Sequence, residues 1–556
     1  MFDSYDLGKY CRKASTTSEE AQTWFNRGLL WCYSFNHEAA AHCFEQAISC
    51  DPKCVMAYWG VAYALGPNYN KSWRMFTQED RKSSITKIRD VLTQGADVAA
   101  NLLPVERALV KALNTRVPTS GDDVPEDLST YDYAYAEAMR PVHEAHGEDL
   151  DVITLFADAI MCTRPRRLWN LDTGKTTGAD IEEARSALEK GLALPGGRDH
   201  PGLCHLYIHM IEMSPYPELA MTAADQLRRL VPDGSHMQHM STHIDIACGD
   251  YRRAVDSNNN AVLSDEKYFA NAGPAAPLYR VYRSHNLHAL AYSAMMSGQR
   301  AIAISAAKRI PEVLTLDFMS IKTPRMVDWT EWQWATLPHV LIRFGLWDQI
   351  LELRAPVDSG LLCVSTATLK YARGIALASL GRIEQAVQAR AEFEEARLSV
   401  PGDRLYGPAS PAAPVLAVAS AMLEGELEYR MGNFSTGFEI LRRGIELEDK
   451  LPYADPPLWM QPLRHALGAL LLEQGHSVEA EQLYLEDLGF SDNLSRRKAR
   501  INNIWGLHGL HECLVRNDKQ DWIKHIRLQR DIAAASSDVS IHASCFCRLS
   551  AMNVGA

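Results

Sequence analysis

Alternation of apolar and polar residues, the mark of a half-buried strand, is nearly absent from this chain, which excludes a β-rich fold. No apolar run approaches the roughly 18 residues that a membrane helix needs, so no membrane association is expected. A net charge of −12 provides no basic footprint for a phosphate backbone, which argues against nucleic acid as a partner. Residues 1–15 mix charged and polar side chains without the apolar stretch of a secretory signal, so a cytoplasmic location is expected. The twelve cysteines are scattered and show no framework of a small secreted domain. Most are expected as reduced thiols on apolar helix faces. Only Cys545 and Cys547 form a close pair, with the chemistry of a soft-metal site or a redox disulfide.

What the chain does have is helical periodicity. Apolar residues recur at three- and four-residue steps from about residue 19 to the last thirty residues, and 47% hydrophobic content over 556 residues allows a large, continuous core. An all-α chain is expected. From Ala21 onward, Gly28, Trp31, Ala40, Phe44, Ala47 and Pro52 fall at the eighth, eleventh, twentieth, twenty-fourth, twenty-seventh and thirty-second places of a unit of about 34 residues. Small residues there allow helices to cross closely, bulky ones fill the gaps, and the proline ends the second helix. The register returns at Gly374, Gly381 and Ala386, at Gly468, Gly475, Ala480 and Tyr484, and more weakly at Gly425 and Gly432.

On these residues the chain resembles the tetratricopeptide repeat family as a divergent member with a histidine-rich groove. The resemblance implies an α-solenoid of helix-turn-helix repeats wound into a superhelix, with the first helix of each pair lining a concave face. The expected organisation is N-terminal repeats over residues 1–150, central histidine-rich repeats over 151–310, C-terminal repeats over 311–540 and a tail over 541–556. Residues 163–178, with Trp169 and three arginines, interrupt the regular spacing and are expected to fold as a lid over the groove.

Eight of the nineteen histidines lie between His200 and His288. His205 and His209, and again His239 and His243, are four residues apart, which sets each pair on one helix face, the spacing that lets a helix offer two ligands to one ion. In the repeat register His205 and His239 are both fifth residues, while His209 and His243 are both ninth. A third unit puts His285 second, His288 fifth and Tyr292 ninth, and the helix before them puts Thr154 and Asp158 at the fifth and ninth places. These places resemble the family's groove positions. His205, His209, His239, His243 and His288 are therefore expected to converge on metal, with His285, His236, Asp158 and Glu212 nearby.

Other histidine pairs are set aside. His37 and His42 are five residues apart and point to separated faces, while His143 with His146 and His508 with His511 have no counterpart in a neighbouring unit. Trp329, Trp332, Trp334, Trp459 and Trp505 are expected as core. The expected activity is a metal-dependent oxidoreduction of a small organic molecule, with copper favoured over iron and zinc admissible. Asp158 or Glu212 would orient ligands or act as base, and Tyr207, Tyr282 or Tyr292 would steer substrate or protons. A protein-interaction scaffold binding a partner in the groove and a metal-dependent hydrolase are the alternatives.

Overall fold

The computed structural model describes residues 4–98, 102–118, 124–271 and 277–548. Helices follow one another from Glu19–Tyr33 to Gln520–Ala534, and the one regular sheet among the described residues is a two-stranded ribbon, Trp169–Asn170 paired antiparallel with Lys175–Thr176. The chain is an all-α protein built of packed helix-turn-helix pairs. It divides into two units. The first comprises residues 1–244 and 260–279, and the second 245–259 and 280–556, so the division passes through the histidine-rich segment.

In the first unit, Ser18 caps the helix Glu19–Tyr33 by accepting from the Ala21 amide, and Asn36 caps His37–Cys50 by accepting from Ala39. Three residues reverse the chain between these helices, with Phe35 in the left-handed region at φ 54°. The Phe44 ring is wedged between Gly28 and Gly60, where an added Cβ would lie 2.6 and 2.5 Å from it. Close helix approach, and not glycine's backbone freedom, is what those two positions require.

The second unit repeats this device. The pairs Cys363–Ser379 with Ile383–Leu398, Ala412–Arg430 with Phe434–Asp449, Leu463–Glu473 with Ser477–Asp487, and Ile504–Arg516 with Gln520–Ala534 pack helix against helix. Tyr484 fills the space between Gly468 and Gly509 as Phe44 does in the first unit. Gly381, Gly432 and Gly475 sit at the turns with φ of 70°, 87° and 86° and open space around them, so there the left-handed backbone alone selects glycine.

Residues 541–548 of the expected tail are held against the second unit. The Ser544 carbonyl accepts from Arg343 (3.1 Å), its hydroxyl bonds Tyr484, and the Cys547 carbonyl accepts from Arg430. Cys545 and Cys547 are joined as a disulfide. The rest of the tail lies outside the described residues.

Candidate metal centre

The helix Pro201–Ile211 carries His205 and His209, and its close seating begins at Gly202. A Cβ there would lie 2.7 Å from the Thr154 methyl and 2.9 Å from the Tyr33 ring. The absence of a side chain lets this helix approach both Leu150–Met161 and Glu19–Tyr33. At that approach His205 Nδ1 reaches the Tyr33 carbonyl at 2.6 Å. A carbonyl accepts only, so Nδ1 carries the proton and Nε2 keeps a lone pair.

Tyr33 is itself fixed from the other side. Its hydroxyl donates to the buried Asp151, which also pairs with Arg12 at 2.7 Å and faces His200 Nε2 at 3.3 Å. His200, outside the metal set, caps its helix by accepting from the Leu203 amide.

His209 is oriented by a carboxylate, its Nδ1 donating to Glu212 Oε1 at 2.9 Å. The second Glu212 oxygen pairs with His243 Nδ1, so one buried side chain ties two imidazoles on two helices. His236 stands in the first turn of Ser235–Cys248, the helix that also carries His239 and His243. Its ring centroid is 5.0 Å from His205 and 6.0 Å from His209. One nitrogen each from His205, His209 and His236 all lie within 4.8 Å of one another, and the three residues are 1%, 2% and 4% exposed. His205 Nε2 and His209 Nε2 are buried and have no hydrogen-bond partner.

Burial is the first cause that lowers the pKa of all three imidazoles. The neighbouring His209 adds to it for His205, and His205 adds to it for His236, while Glu212 opposes it at His209. Glu212 is held well below the usual carboxylate range: burial acts against this, and His243 and His209 overcome it. At neutral pH the trio is therefore uncharged, with two buried lone pairs, on His205 and His209, that no donor meets. A buried polar atom left unsatisfied costs about 1–3 kcal/mol, so a cation that accepts both lone pairs suits the site, and so does the donor set of neutral imidazoles.

Side chains that sequence reasoning did not single out form the walls. The Phe35 ring lies 4.5 Å from His205, and stacks at 5.8 Å on His209 and 5.4 Å on His236. Tyr69 lies 4.8 Å from His209. Asn68 shapes the Tyr69 turn by accepting from the Asn70 and Lys71 amides, and the Asn70 amide nitrogen lies 3.4 Å from His236 Nε2. The only local sequence sign of these walls is the polar turn chemistry of Ser34-Phe35-Asn36 and Asn68-Tyr69-Asn70.

The remaining expected residues have other surroundings. His239 and His243 share the first unit with the trio, their Nε2 atoms 3.0 Å apart, and His239 lies 6.1 Å from His236 between ring centroids. Asp158 accepts from Tyr63 at 2.7 Å and from the Cys162 thiol. Burial raises its pKa against the pull of Arg116, so it belongs to that network and not to the imidazoles. The Tyr207 hydroxyl donates to Glu189. His37 is half-buried, 6.1 Å from Tyr63, and desolvation lowers its pKa to about 3.

His285, His288, Tyr282 and Tyr292 belong to the second unit. There His288 stands edge-on to Trp332 at 4.6 Å, its pKa lowered to about 3 by burial and then by His339. Burial raises the Tyr292 hydroxyl to about 12. Residues 163–178 contain the short ribbon, and the Trp169 indole N–H donates to the Met210 carbonyl at 2.6 Å, on the helix that bears His205 and His209.

Solved structures similar to this chain are helical-repeat proteins of the tetratricopeptide type. One is the human IFIT1 dimer with m7Gppp-AAAA, 11% identical over 86% of this chain and 90% of that one, with a TM-score of 0.32. Another is yeast Tom70, 10% identical over 93% and 92% with a TM-score of 0.26. A third is the APC/C hetero-tetramer Cut9-Hcn1, 10% identical over 96% of each chain with a TM-score of 0.27. Likeness at these scores carries no argument about the site, and the helix-pair architecture rests on the packing described above. No family model and no curated protein matches the chain. No helix among the described residues is long and apolar enough to cross a membrane.

Proposed function

We propose that the first unit binds a transition-metal ion on His205, His209 and His236, and that the chain is a metal-dependent enzyme oxidising a small organic molecule there, with dioxygen as the electron acceptor. The observation that carries this reading is the pair of buried Nε2 lone pairs on His205 and His209, each fixed by an Nδ1 acceptor and converging with His236. Three neutral imidazoles without a thiolate suit copper or zinc. The carboxylate that the two-histidine iron sites require is here occupied by His209 and His243. Copper is therefore favoured over iron, and zinc would make the site hydrolytic.

Metal analysis of protein produced without affinity metals tests this reading. Expected is one equivalent of copper, lost in a His205→Ala, His236→Ala double variant that keeps its helical circular dichroism. A folded wild type that neither contains nor takes up copper, zinc or iron refutes it.

The interaction scaffold is the second reading, and one surface feature favours it. The last helix, Gln520–Ala534, exposes Trp522, Leu528 and Ile532. A scaffold would bind its partner equally well in the presence of a chelator.

A further inference from the structure

We propose that the metal centre takes a small organic carboxylate and that Arg166 is the residue that recognises it. This assignment rests on the metal reading above and names the substrate class for that same site.

Arg166 comes from the 163–178 insertion, which is pinned to the histidine-bearing helix through Trp169 and Met210. Its guanidinium donates to Asn70 Oδ1 at 3.2 Å, and the amide nitrogen of the same Asn70 lies 3.4 Å from His236 Nε2. Two side-chain contacts thus connect the arginine to a proposed ligand.

Its backbone is unusual. Arg166 has φ 60°, a left-handed conformation that a residue with a Cβ adopts at a cost of about 1 kcal/mol or more, and such conformations gather at functional sites. The conformation is held by the turn around it, where the Arg167 amide donates to the Arg164 carbonyl at 3.0 Å.

Its charge is uncompensated. Arg164 of the same insertion pairs with Asp180 at 2.6 Å, whereas Arg166 forms no ion pair among the described residues. The carboxylate closest to the trio, Glu212, is already committed to His209 and His243. The residue is exposed, so donors of its fork remain accessible beside the Asn70 contact.

A divalent ion on three neutral imidazoles together with this cation leaves the site short of negative charge. An anionic substrate supplies it, and a cationic one is repelled. A planar guanidinium offers two parallel N–H donors that match a carboxylate, and a single arginine fits one such group.

Benzoate is a suitable probe, with benzamide as its neutral counterpart, each titrated into copper(II)-loaded full-length protein and followed by calorimetry and the copper visible absorption. Expected are benzoate binding about tenfold tighter than benzamide, an Arg166→Gln variant weaker for benzoate by about tenfold, and Arg166→Lys in between. Copper affinity should stay within about twofold in both variants, since Arg166 touches no proposed ligand directly.

Benzoate binding unchanged in Arg166→Gln, with copper bound, overturns the assignment while leaving the metal centre standing. Tighter binding of inorganic phosphate than of benzoate overturns the carboxylate class. Failure of the wild type to hold copper or zinc overturns the metal centre, and this assignment with it.

Discussion

The Nε2 atoms of His239 and His243 lie 3.0 Å apart on successive turns of one helix. At that separation one ring donates its N–H to the lone pair of the other, so the two nitrogens are in opposite protonation states. His243 is also held through Nδ1 by Glu212. A His243→Ala variant removes both contacts and is expected to lose about 1–3 kcal/mol of stability in urea unfolding. Metal stoichiometry at the trio should remain at one, and an unchanged unfolding midpoint would show that the pair contributes nothing.

Glu212 sets the proton position on His209, and a carboxylate in that role strengthens imidazole as a ligand. Glu212→Gln should fold and still bind metal, with affinity lowered by about 10–100-fold in competition with a chelator. Wild-type affinity in this variant would remove Glu212 from the centre.

Stability should rise with pH across the acid range. His205, His209 and His236 have pKa values lowered by burial in the fold, whereas in the unfolded chain they titrate near 6.5. Below that value the unfolded state takes up protons that the native state refuses, so stability falls as pH drops from about 7. Glu212, lowered in the fold, acts in the same direction as pH falls through the ordinary carboxylate range. Thermal melts of metal-free protein between about pH 5 and pH 8 check this, and a flat profile would contradict it.

Gly202 and Gly381 separate two uses of glycine. Gly202→Ala forces a Cβ to within 2.7 Å of Thr154 and pushes the Pro201–Ile211 helix off Tyr33, so it should weaken both stability and metal binding. Gly381→Ala meets no neighbour and should cost about 1 kcal/mol through its φ of 70° alone, with metal affinity unchanged. Equal effects on metal binding from the two changes would refute the role given to Gly202.

The repeat units were legible because their signal is local and repeated. Gly28 with Phe44 and Gly468 with Tyr484 are small-against-large pairs that a helical hairpin must bring together whatever surrounds it, and the structure packs them so. The four-residue steps of His205 with His209 and His239 with His243 likewise follow from one helical turn. By itself the sequence determined an all-α chain of paired helices and the faces that carry imidazole.

Which imidazoles stand together was decided by tertiary structure. Register alone gave the fifth and ninth places equal standing in three units, yet His236, at a second place, is the residue within reach of His205 and His209. His288 went to the second unit. The reason is that a helix fixes only the direction of a side chain relative to its own axis. The distance across to the next helix depends on how closely the two seat, and that is set by Gly202, by a phenylalanine side chain at the turn place where other repeats carry glycine, and by the Asn68–Asn70 turn and the insertion bearing Arg166, which lie outside the repeating pattern.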